Sequence, residues 1–161
     1  MSKSLFLSFI RIIHILPTFA LCSCGEQYSA RISNTISSSS PSPISEISHS
    51  YDEVSNRKIY WSNIFTRPEE HYYVYLYSLT CSHCASIKNQ MIEYALSDVS
   101  PIYFVESSPE INIDSKVDSV NVSTLEDLSI KGFPSLLVLD NHVVTKNLAG
   151  TILILDELGI F

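Results

Sequence analysis

Cys81-Ser82-His83-Cys84 sets two thiols at a spacing that closes a disulfide across a single turn. A run of strand character over 72–78 precedes the pair, and a helical pattern follows it. A cysteine that caps a helix N-terminus meets the partial positive charge there. That charge favours the thiolate, the form that attacks disulfides. The pattern makes Cys81 the candidate nucleophile and Cys84 the resolving thiol. Attack by Cys81 on a partner's disulfide gives a mixed disulfide that Cys84 then breaks, and the reverse order makes a new bond in the partner. The plainer alternatives are a buried pair that only packs and a fixed structural disulfide. The strand before the motif and the helix after it favour exchange.

A second element lies downstream, where Gly132-Phe133-Pro134-Ser135 runs directly into the apolar stretch 136–139. With both elements in place, the chain resembles the thioredoxin superfamily of thiol–disulfide oxidoreductases. The resemblance implies an α/β, thioredoxin-like fold over 51–161, with a central mixed sheet of four to five strands flanked by helices. Pro134 matches the superfamily's proline whose preceding peptide bond is cis, an isomer that costs only about 0.5–1 kcal/mol at an X–Pro bond. Such a loop leaves a backbone edge at Phe133 on which an extended substrate strand can pair. His83 stands where protein disulfide isomerases and periplasmic oxidases also carry a histidine. Its cation would add to the helix N-terminus in favouring the thiolate and would make the disulfide more oxidising. No cofactor is implied.

Two positions depart from thioredoxin itself. Tyr75 replaces a buried Asp six residues before the first cysteine, and Thr80 replaces a Trp just before it. The chain is more similar to the small exported or membrane-tethered thioredoxin-like proteins of Gram-positive bacteria, including bacteriocin transport accessory proteins.

The elements that must hold these residues can be read in order. A short first strand is predicted over 59–61, then a short helix over 63–67 capped by Ser62 and ended by Pro68. The aromatic and branched run 72–77 suits a central strand buried on both faces. A helix over 84–96 carries Ile87, Met91 and Ala95 as an apolar stripe, with Lys88, Asn89 and Glu93 toward water. A strand over 102–105, a short helix over 125–130, a hairpin of 136–139 with 143–148, and a closing helix over 151–159 complete the order. The polar, acidic stretch 106–124 is about ten residues longer than a minimal domain of this type needs. It either shapes the partner groove or is a tolerated surface insertion, the second being the plainer reading.

Residues 1–23 read as a secretory leader of the lipoprotein type, with Lys3 and Arg11 at its positive end and an apolar core over 12–21. Leu21-Cys22-Ser23-Cys24-Gly25 resembles a bacterial lipobox, with Cys24 as the lipidated residue. The alternative is an uncleaved anchor helix over 5–22. Residues 24–50 are rich in serine, with only scattered large apolar side chains, so their composition predicts a disordered tether.

Charge narrows the partners. All 17 acidic residues follow position 23, with eight of the ten basic ones, so a chain cleaved there carries −9. That argues against nucleic acid and against electrostatic docking on anionic lipid. The four cysteines form two pairs on either side of the tether, an arrangement unsuited to a zinc site, and no metal is expected.

The sequence therefore points to an oxidoreductase on the extracytoplasmic face of a bacterial membrane. It would exchange disulfides with cysteine-containing exported proteins or peptides and be served by a membrane redox partner. The alternatives are a tethered reductase of the same fold and a non-enzymatic transport accessory module.

Overall fold

The computed structural model describes residues 47–160, so the leader, Cys24 and most of the tether lie outside the described residues. Strand β1 (His71–Tyr77) forms where aromatic and branched side chains alternate between two faces that are both covered. Helix α1 (Ser82–Ser97) follows, capped by Cys81 and ended by Asp98 in the left-handed conformation. Strand β2 (Ile102–Glu106) returns parallel to β1, with Tyr75 opposite Phe104. Strand β3 (Ser135–Asp140) pairs antiparallel to β1, with Tyr75 opposite Leu136. A tight turn then leads to β4 (Val143–Ala149), and α2 (Thr151–Leu158) closes the order. The sheet runs β2-β1-β3-β4.

The period-2 pattern of β1 splits the core in two. Tyr75 and Tyr77 face α1, α2 and a 3-10 helix over Tyr51–Arg57, together with Cys84, Ile87, Met91, Ile92 and Phe104. Tyr72, Val74 and Leu76 face the other way, toward Trp61, Ile64, Leu128 and Ile130. The apolar stripe of α1 includes Ile87, Met91 and Ala95, all buried, as its helical spacing predicts.

The sheet of the described residues has four strands, within the expected four to five, but four of the expected segments differ, and the strand predicted over 59–61 does not form. Lys58 makes a single parallel bridge to Phe104, with Ile59 N–H on the Phe104 carbonyl at 2.9 Å. The chain then turns into a 3-10 helix over Trp61–Asn63, which buries Trp61 in the core and replaces the helix predicted over 63–67. The stretch 125–130 is a turn and not a helix. Its last residue is committed to extended pairing, because Ile130 N–H donates to Asn112 and the Ile130 carbonyl accepts from Asp114. Finally, the 106–124 insertion carries ordered pairing. Asn121 N–H donates to the Val144 carbonyl at 2.7 Å, and Val144 N–H to that of Val122 at 2.9 Å, along the outer edge of β4.

The segment before the domain is also anchored. Ser50 and Glu53 form a capping box at the start of the first 3-10 helix. Asn89 on α1 holds the Ile47 carbonyl and accepts from the His49 N–H.

Ser119 joins the insertion to the core. Its hydroxyl accepts from the Ser129 N–H at 2.9 Å and donates to the Asp127 carbonyl at 3.2 Å, and the residue is buried. Ser119→Ala leaves a buried N–H unpaired and should cost about 1–3 kcal/mol of stability. Urea unfolding of the variant checks this, and an unchanged midpoint would mean the insertion adds nothing to the core.

Candidate active site

The site forms where β1 gives way to α1. Cys81 has extended backbone angles and stands at the N-cap, so its sulfur takes the position of a capping acceptor. The Cys84 N–H donates to Cys81 Sγ at 3.1 Å. A helix N–H left without an intrahelical partner thus points at this sulfur. Cys81 is partly exposed, Cys84 is only 1 % exposed one turn further in, and both are free thiols. Burial holds the Cys84 thiol well above its ordinary range, and its hydrogen bond with Cys81 adds to the effect. The backbone N–H groups of Ser78 and of Cys84 itself oppose it.

The 132–135 loop supplies the opposite wall. The Phe133–Pro134 peptide is cis, and the Phe133 carbonyl lies 3.5 Å from Cys81 Sγ as acceptor for the thiol. The loop is pinned twice, by Ser135 Oγ on the Gly132 carbonyl at 2.6 Å and by Gly150 N–H on the Pro134 carbonyl at 3.0 Å. Gly150 itself, at φ 98°, adopts a conformation that other residues rarely enter.

His83 is exposed and lines a groove of about 260 Å³ with Phe133, Pro134, Gly150, Thr151, Ile152 and Leu153. Ile152 and Leu153 are 77 % and 53 % exposed, so the groove presents apolar surface beside the reactive sulfur. The fold therefore gathers Cys81, His83, Cys84, Phe133 and Pro134 in one place, while Cys24 lies outside the described residues. Sequence reasoning gave no role to Ile152 and Leu153, whose exposure at the start of α2 depends on the turn at Gly150. It also gave none to Tyr51, whose ring stacks on Tyr77 at 3.9 Å beneath the site.

No family model and no curated protein sequence matches the chain. Solved structures do. Thioredoxin f from spinach chloroplast (short form) aligns at 13 % identity and TM-score 0.46, over 63 % of this chain and 88 % of that one. Thioredoxin f2 of Chlamydomonas reinhardtii aligns at 12 % and 0.43, over 62 % and 93 %. The periplasmic thioredoxin SoxS of Paracoccus pantotrophus aligns at 14 % and 0.36, over 55 % and 95 %. Likenesses at this level carry no functional weight. The thioredoxin-like α/β fold rests on the chain's own sheet order, on α1 springing from the C-terminal end of β1, and on the cis-proline that faces it.

The unequal burial of the two thiols has a direct readout. At pH 8 iodoacetamide should modify Cys81 in the native, reduced protein and leave Cys84 untouched until denaturant is added. Peptide mapping measures this, and equal labelling of both in the native state would contradict the geometry.

Proposed function

We propose that this protein is a thiol–disulfide oxidoreductase acting outside the cytoplasm on cysteines of exported proteins or peptides. One observation carries the reading. A partly exposed sulfur caps a helix N-terminus, with a second, buried thiol one turn behind it and a cis-proline loop 3.5 Å in front. In this reading a client segment lies across Phe133 and the groove beside His83, and Cys81 attacks one sulfur of its disulfide. The client's other sulfur leaves as a thiol. Cys84 then attacks Cys81, the client is released reduced, and the pair ends as a disulfide; run backwards, the same steps oxidise a client.

A Cys84→Ala variant should accumulate mixed disulfides on Cys81 in cells, visible as adducts on non-reducing gels that disappear with Cys81→Ser. Normal client processing by a double Cys81→Ser, Cys84→Ser variant would instead support a non-enzymatic accessory role.

The exposed His83 supports the oxidising direction. A cation there would stabilise the reduced, thiolate form and would place the potential nearer to the isomerases at about −180 mV than to thioredoxin at about −270 mV. His83→Pro should then lower the potential by a few tens of millivolts, about 30 mV for each 1.4 kcal/mol of lost thiolate stabilisation. Equilibration with glutathione buffers measures the shift. A wild-type potential at or below about −270 mV, unmoved by the substitution, would favour a reductase.

The location rests on the Leu21-Cys22-Ser23-Cys24 junction, with the lipid on Cys24 and a membrane protein supplying or removing electrons. Mass spectrometry of the membrane fraction should find no peptide N-terminal to Cys24. Recovery of residues 1–23 on the mature protein would reject the lipoprotein reading.

A further inference from the structure

Two buried tyrosine hydroxyls lie in the cluster around Cys84 with no partner but each other. Tyr75 is fully buried and Tyr51 is 9 % exposed; the two hydroxyls interact, yet neither makes a hydrogen bond of full geometry. Buried hydroxyls are almost always fully paired, so two under-satisfied ones in one place need an explanation. They reach the same spot from different elements, Tyr51 from the first 3-10 helix and Tyr75 from the centre of β1. Both share one apolar cluster with Cys84, and Cys81 packs against that cluster. Aromatic packing fixes the rings: Tyr51 stacks on Tyr77 at 3.9 Å, and Tyr75 lies parallel to Tyr77 at 6.0 Å and edge-on to Phe104 at 5.7 Å.

We propose that the Tyr75 and Tyr51 hydroxyls form the hydrogen-bonding site that receives the Cys84 thiolate while the mixed disulfide is resolved. The proposal rests on the thiol-exchange reading of the site and assigns it a missing part. Cys84 must give up its proton to attack, yet it is buried, and no carboxylate is among the main influences on it. An anion formed there has lost its water and needs donors. The Ser78 and Cys84 N–H groups are two of them, and in this proposal the two phenols of the same cluster turn to supply the others.

The phenols are suited to donate and unsuited to act as bases. Burial pushes Tyr51 up to about 12 and Tyr75 higher still, and negative charge on Cys84 or Cys81 would push both further. Each therefore keeps its proton through the working range and can turn it toward sulfur. Among the other titratable neighbours, Glu106 engages the Tyr77 hydroxyl at 3.3 Å and its charge also raises Tyr51. Asp52, Lys58, Lys88 and Glu106 line a cavity to which Tyr51 and Ser78 also contribute.

The resolving step balances without a further reagent. The Cys81–client S–S bond breaks, the Cys81–Cys84 S–S bond forms, and the client sulfur takes up the proton that Cys84 released. The cysteine pair is oxidised by two electrons as the client sulfurs are reduced.

The test uses the reduced protein mixed rapidly with an aromatic disulfide that releases a coloured thiolate. Attack by Cys81 releases one equivalent and attack by Cys84 a second, so the two steps are read separately, and Cys84→Ser marks the first alone. Tyr75→Phe should slow the second release about tenfold and move its pH midpoint up by about one unit, leaving the first release unchanged. Tyr51→Phe should act in the same direction. Because each change deletes only a hydroxyl whose sole neighbouring hydroxyl is the other tyrosine's, the thermal midpoint should change little, and its measurement separates slowing from misfolding. A second release of unchanged rate in both variants overturns the proposal, and so does slowing without a moved pH midpoint. Absence of a second release from the unsubstituted protein would instead overturn the exchange reading itself.

Discussion

Cys81 belongs to two elements at once, and the site is built on that double membership. It ends the turn that leaves β1, with its N–H on the Ser78 carbonyl, and it opens α1, with its carbonyl accepting from Ala85. Its sulfur accepts from the Cys84 N–H in the same geometry by which serine or aspartate caps a helix. A side chain bound in this way cannot swing out without uncapping α1. The reactive atom is therefore held by the helix it serves, and Cys84 is buried one turn behind it as a consequence of helical pitch.

The tyrosine-rich strand supplies what this arrangement needs on its inner side. Tyr72, Tyr75 and Tyr77 bury large rings on both faces of β1 and fix its height against α1. The polar end of each ring then has to be dealt with separately. Tyr72 donates to the Ile64 carbonyl at 2.8 Å, and Tyr77 reaches Glu106. Tyr75, in the same cluster as Cys84, has only the Tyr51 hydroxyl near its own. A strand of leucine and valine would fill the same volume with less liability. The hydroxyls thus distinguish one position along β1 from its neighbours, and that position shares a cluster with the buried thiol.

What could be read from the residues follows from the range of the physics involved. The β1 run, the α1 stripe, the 136–148 hairpin and the thiol spacing are local patterns of period 2 or 3.6, and all appear in the fold. The misreadings are non-local. Residues 59–61 look like a strand, but only Lys58 has a partner before Trp61 turns into the core. Residues 125–130 look helical because Leu125, Leu128 and Ile130 are spaced for it, yet Ile130 is claimed by a distant segment. Ser50-Tyr51-Asp52-Glu53 does carry a capping-box signature, a local sign that a helical turn begins there. That Tyr51 lies over Tyr77 is a matter of tertiary packing, which no spacing along the chain encodes.

The pairing at the two margins of the sheet bears on what else the chain can join. Beside β2 the Lys58–Ile59 backbone occupies Phe104, and beside β4 the Asn121–Val122 backbone occupies Val144. Unblocked edge strands are templates for indiscriminate strand addition, the first step toward domain swapping and fibrous growth. Here each margin carries a short plug that interrupts the run of free N–H and C=O groups. For the proposed exchange with extended client segments, such plugs would confine β-type association to the short loop at Phe133, beside the thiol that could release the chain again.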